Sequence, residues 1–220
     1  MEYSNTSTAV NTASQTGVTN QVLRNTYLLL SMTLLFSAAT ATVSALLALP
    51  HPGLLLTLGG YFGLLFLTHK FRNSGYGIVS VFALTGFMGL TLGPIVSAYW
   101  QAAPQVVMQA LAATGVIFVA LSAYATTTKR DFSFMGSFLF AGILVAFLAG
   151  LGAIFFEIPT LSIVVSAMFV LLMSGLILFE TQQIVQGGET NYIMATVTLF
   201  VSIFNLFTSL LHLLGVFQSE

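Results

Sequence analysis

The chain has 220 residues, of which 57% are hydrophobic and only 5% charged, with five Lys and Arg against six Asp and Glu. Its mean hydropathy of +0.98 leaves far too little polar surface for a water-soluble globule, so the chain reads as an integral membrane protein whose first partner is the lipid bilayer. The absence of a basic patch excludes nucleic acid, and the absence of cysteine excludes disulfides, thiolate metal sites and a Cys nucleophile.

Residues 1–22 form the first unit. Met1 to Asn20 are Ser, Thr, Asn, Gln and Gly with one charge at Glu2, a composition that buries too little to offset chain entropy and predicts a disordered tail. Such a tail is either a plain tether or a handle for a cytoplasmic protein partner. The second unit, residues 23–220, is a membrane domain.

Within it, apolar segments fall at about 27–49, 53–68, 78–100, 104–126, 132–156, 160–183 and 191–216, each near the ~20 residues a helix needs to cross hydrocarbon. The fold class expected is therefore all-α, a polytopic protein of seven transmembrane helices. Breakers separate the spans: Pro50-His51-Pro52-Gly53, Asn73-Ser74-Gly75, Ala103-Pro104, Glu157-Ile158-Pro159 and Gly187-Gly188. When the seven spans alternate, Arg24, Lys70, Arg72, Lys129 and Arg130 all fall on one side. Positive charge favours the cytoplasm, which predicts a cytoplasmic N-terminus and a C-terminus across the membrane.

Small residues mark where helices approach one another. Gly59 with Gly63, Gly89 with Gly93, and the group Gly142, Ala146, Ala149, Gly150 and Ala153 each offer a flat face for close packing in lipid. Pro94 predicts a kink in the third span, for packing or as a hinge.

Two polar features remain. On the last span Asn191, Ala195, Thr198, Ser202, Asn205, Ser209 and His212 recur at alternating steps of four and three, a stripe expected to face the bundle interior. It serves either as interhelical glue or as a hydrated path for an ion or proton. On the sixth span Glu180 and Gln183 share a face about two turns inside the Gly187-Gly188 break. An ionisable group at membrane depth is expensive and marks a functional site by default. Glu180 is thus a candidate proton or cation sensor, with an interfacial Glu reaching cytoplasmic water as the alternative.

Phe179-Glu180-Thr181-Gln182, Asn191-Tyr192-Ile193 and the run Leu199 to Phe207 resemble the signature of the last two helices of the Bax inhibitor-1 family, and the seven spans are similar over the whole chain. Leu23-Arg24-Asn25-Thr26-Tyr27 and Gly187 to Ile193 are most similar to a proteobacterial branch of inner-membrane proteins that modulate the membrane-bound AAA protease FtsH. That resemblance implies an FtsH-type protease as partner, engaged through the tail while the stable bundle resists extraction. The family's calcium-leak members imply the alternative, a pH-sensitive leak of Ca2+ or H+ gated by two aspartates. Here those positions hold Glu180 and Ser202, so the carboxylate pair is incomplete.

No enzyme is expected, and neither a cofactor nor a metal site. The chain has no His-Glu-x-x-His, its single aspartate is Asp131, and Leu172 stands where a Gly-x-Ser-Gly motif would need glycine before Ser174. A nucleophilic pairing of Ser174 with His212 is left as a formal possibility.

Overall fold

The computed structural model describes residues 3–128 and 130–218, with the backbone alone for 3–18. Of the positions singled out above, Met1, Glu2 and Lys129, together with the side chains of residues 3–18, lie outside the described residues. The elements run α1 (Tyr3–Leu46), α2 (Leu54–Phe71), α3 (Tyr76–Ala102), α4 (Pro104–Thr127), α5 (Met135–Phe155), α6 (Pro159–Gln186) and α7 (Tyr192–Gln218). All seven are long and apolar enough to cross a membrane, the membrane-length part of α1 being Thr19–Leu46. The protein is an all-α, seven-helix membrane protein.

The helical backbone of α1 extends back to Tyr3, through the segment whose composition predicts a tail. Extending a helix that is already nucleated adds one hydrogen bond per residue fixed, so polar residues can follow an apolar span into helix without a packing partner.

Helix α7 is the centre of the bundle. It packs against α1, α3, α4 and α6, and no residue from Asn191 to Val216 is exposed. Phe200, Leu199 and Leu206 of α7 are fully buried in one cluster with Leu30 of α1, Leu84 of α3 and Ile177 of α6, and Leu211 in a second with Leu92 of α3 and Val106, Val107 and Ala110 of α4. Helix α2 lies outside this group against α3.

The α1–α3 seam is the closest approach. Gly86 faces Phe36, Gly89 faces the Ser37 carbonyl and Thr40, and Gly93 faces the Ala41 carbonyl and Ser44, leaving no room for a Cβ at any of the three. The Ser44 hydroxyl crosses the seam to donate to the Leu90 carbonyl at 2.8 Å. In α5, Gly142 meets Leu172 and Gly150 meets Val165 of α6, as the small-residue face predicts. Gly59 and Gly63 do not behave this way: nothing lies within 4 Å of a Cβ on either, and it is Gly60 that packs, against Phe87. A small-xxx-small spacing gives a flat face but does not name the helix that covers it. Helix α3 continues through Pro94.

At one end of the bundle the loops are tied together. Helix α6 stops at Gly187, whose φ of 76° is left-handed and so suits glycine. The Gly188 and Glu189 amides return to the Gln183 carbonyl at 2.8 and 3.1 Å. Asn191 then caps α7, its Oδ1 accepting from the Ile193 and Met194 amides at 3.0 and 3.1 Å. Its Nδ2 donates to the Arg72 carbonyl at 3.1 Å and Asn73 Oδ1 at 2.8 Å, fastening the α2–α3 loop to the same point. Thr19 of α1 lies beside Gly187, and Gln182 reaches the Arg130 carbonyl. These contacts gather Arg24, Lys70, Arg72 and Arg130 at one end. Nearby Asp131, fully exposed, accepts from the Ser133 hydroxyl at 2.6 Å and amide at 2.8 Å, which holds its carboxyl below the usual range.

Candidate functional site

The last turns of α6 are buried although they are polar. Helix α6 packs against α1, α4, α5 and α7, and this encirclement leaves Glu180 at 8% exposure, Thr181 at 0% and Gln182 at 1%, between the apolar Ile177 and Ile184 at 0%. A polar group withdrawn from water needs a replacement hydrogen bond, and one without it is a site of stored cost or of function. Glu180 Oε1 has no partner among the described residues. The side chain is therefore largely buried, with Oε1 withdrawn from solvent.

Its neighbours are fully used. Gln182 Oε1 accepts from the Phe132 amide at 2.8 Å and its Nε2 donates to the Arg130 carbonyl, so one amide side chain clamps the α4–α5 loop onto α6. The Thr181 hydroxyl lies 3.5 Å from the Tyr27 hydroxyl of α1. On α7, Thr196 Oγ1 is shared between the Tyr192 carbonyl at 2.7 Å and the Thr26 carbonyl at 3.3 Å. Residues from α1, α6 and α7 thus form one polar belt at the charged end. Gln182 and Thr181 were not singled out from the sequence; they adjoin Glu180 in one signature run, and that adjacency was the signal available.

The α7 stripe divides in two. Ala195, Ser202 and Ser209 are buried, whereas Asn191, Thr198, Asn205 and His212 are half-buried. The heptad spacing is one line in sequence, but its alternate members meet different neighbours. Two of its polar groups bond within their own helix: Ser202 Oγ donates to the Thr198 carbonyl at 2.7 Å, and Asn205 Nδ2 to the Val201 carbonyl at 2.8 Å. His212 reaches out, its Nδ1 lying 2.8 Å from Ser166 Oγ of α6. Ser174 instead donates to the Val170 carbonyl at 2.7 Å, so the formal pairing with His212 is replaced by Ser166. Gln183, half-buried on α6, packs under Gly188.

In chemical terms, the arrangement is one unpaired buried carboxyl near the charged end and a half-accessible line of Thr198, Asn205 and His212 along α7. The Ser202 hydroxyl is turned to its own backbone.

Comparison with known proteins places these features in context. A family model described as inhibitor of apoptosis-promoting Bax1 matches residues 19–219. The Escherichia coli K12 protein named modulator of FtsH protease YccA is 54% identical over 198 residues, covering 90% of each chain. The E. coli O6:H1 relative, named inner membrane protein YccA, has the same identity and coverage. A Vibrio cholerae membrane protein is 44% identical over 205 residues, 92% of each chain.

Proposed function

Because the chain belongs to the family of inhibitors of apoptosis-promoting Bax1, we propose that it is a multi-pass protein of the bacterial inner membrane that modulates an FtsH-type membrane-bound AAA protease. The observation that carries this reading is the 54% identity, across nine-tenths of both chains, to a relative named for modulating FtsH. The positive end of the bundle faces the cytoplasm on this reading, with the N-terminus there and the C-terminus in the periplasm.

The polar segment Met1 to Asn20 is the part a cytoplasmic AAA ring engages, while the bundle resists being pulled out. That reading is supported by the centre of the fold, where no residue of α7 up to Val216 is exposed and the α1–α3 seam admits no Cβ at three glycines. A protein that is held but not extracted occupies the protease and limits its access to other membrane substrates. The test is degradation of a second membrane substrate by a purified FtsH-type protease in proteoliposomes. Full-length chain slows that degradation; a chain lacking residues 1–18 does not. Equal inhibition by both removes the tail from the mechanism.

A second reading is favoured by one observation, the buried and unpaired Glu180 Oε1. It is a pH-sensitive Ca2+ or H+ leak in which Glu180, Gln183, Thr198, Ser202, Asn205, Ser209 and His212 line the path. Ser202 in the second acidic position weighs against it. A Ca2+ leak in proteoliposomes that Glu180→Gln abolishes would reverse this order.

A further inference from the structure

The α1–α4 seam holds a crevice that runs from one end of the bundle toward the other. Both helices pack on α7, but they scarcely pack on each other. Near the charged end, a space of about 520 Å³ is bordered by Asn20, Arg24 and Tyr27 of α1 and by Phe118, Ser122 and Thr126 of α4. Deeper, a space of about 280 Å³ is walled by Leu34 and Ala38 on one side and Leu111 and Phe118 on the other, with Phe200 and Phe204 of α7 as its floor. Beyond it lies a third space of about 570 Å³, bordered by Ala38, Ala41, Leu111 and Phe207. Phe118 borders the first two spaces, and Ala38, Leu111 and Phe207 border the last two. The Tyr27 and Phe118 rings, 6.0 Å apart, form the neck between the polar head of the crevice and its apolar body.

We propose that this crevice binds one anionic phospholipid from the leaflet at the charged end, with its phosphate headgroup at Arg24 and one acyl chain lying along Ala38 and Ala41 over the α7 phenylalanines. The occupant is argued from the distribution of charge along the groove. One cation stands at the membrane-surface end, and the deeper spaces are lined mainly by apolar side chains with no charged residue among the described ones. Arg24 is exposed, and the described residues contribute no carboxylate to the spaces that border it. A guanidinium in that position is matched by a phosphodiester. Ser122 supplies an independent observation. It is 7% exposed and borders the head of the crevice, yet its hydroxyl has no hydrogen-bond partner among the described residues.

The test is lipid retention by the full chain, released from detergent micelles and measured by native mass spectrometry with added dioleoylphosphatidylglycerol or dioleoylphosphatidylcholine. One phosphatidylglycerol per chain is expected, preferred over phosphatidylcholine by about fivefold, the factor equivalent to the ~1 kcal/mol that one basic residue contributes at an anionic surface. Arg24→Gln, at an exposed position that does not threaten folding, brings the two lipids to equal retention. Arg72→Gln, at the same end but outside the crevice, leaves the preference intact. Ala38→Phe fills the body and lowers retention of both lipids by the same factor, and soluble glycerol 3-phosphate does not displace the lipid. Equal retention of the two lipids by the unaltered chain overturns the proposal. So does an Arg72→Gln loss as large as that of Arg24→Gln, because the attraction would then be a general surface effect. Displacement by glycerol 3-phosphate overturns it by showing that the apolar body contributes nothing.

Discussion

Helix α1 has two seams, and they are built on different plans. Against α3 it is closed: Ser37, Thr40 and Ser44 of α1 meet Gly89 and Gly93 of α3, so that small residues stand on both sides there and α1 carbonyls approach the α3 glycines. Against α4 it is open: Ala38, Ala41 and Ala45 are small, but they face Leu111, Val107 and Phe118, and a crevice is left. In lipid no hydrophobic drive pushes helices together, so a seam closes only where dispersion contact and interhelical hydrogen bonds are available to both partners. Small residues on one side alone hold the helices apart by the bulk of the other side.

The difference is broken most severely from the α3 side. Gly89→Val places its first carbon against the Ser37 carbonyl and Thr40 hydroxyl, and backbone cannot move aside as a flexible side chain can. Overpacking of this kind costs about 3 kcal/mol or more, and the expected outcome is a fall in thermal midpoint, read by tryptophan fluorescence or light scattering in detergent, that is the largest of any single change on this seam. An unchanged midpoint would mean that α1 and α3 are not in backbone contact.

A smaller change sharpens the same point. Ser44→Ala keeps the volume of the closed seam but removes the hydrogen bond to the Leu90 carbonyl. Interhelical bonds of this type contribute about 0.6 kcal/mol, so the midpoint should fall slightly while the packing stays closed. Measured beside Gly89→Val, it separates steric closure from polar closure.

What the sequence made legible follows the same division. The seven spans were readable because each needs ~20 apolar residues whatever its neighbours are; the boundaries of α2 to α7 differ from the expected ones by a few residues. Gly89 and Gly93 were readable as a contact face, and the gathering of Arg24, Lys70, Arg72 and Arg130 at one end followed from counting spans. The start of α1 was not legible, because composition reports burial and residues 3–18 extend a helix nucleated elsewhere. Gln182 was missed for another reason. Its importance lies in the two backbone groups it clamps, Phe132 and Arg130, some fifty positions away, and no local pattern reveals a long-range partner. Asn191 was read as the first rung of the α7 stripe, whereas its side chain is an N-cap that also holds the α2–α3 loop. For Glu180, the sequence supplied the residue and its depth; only the packing of four helices around α6 decides that the carboxyl is buried.

Gly59 provides the control that both seams require. It has the same four-residue spacing to Gly63 as Gly89 has to Gly93, and on sequence alone the two pairs predict equal sensitivity to a side chain. Nothing lies within 4 Å of a Cβ on Gly59, so Gly59→Ala meets no neighbour. The substitution also removes the backbone freedom that glycine retains in the unfolded chain, a contribution of about 0.4–1 kcal/mol in favour of the folded state. The midpoint should therefore stay constant or rise slightly, the reverse of the result at Gly89. A clear fall at Gly59 would show that this face of α2 is covered, most simply by a second copy of the chain, and chemical crosslinking from an introduced cysteine at that position would identify it.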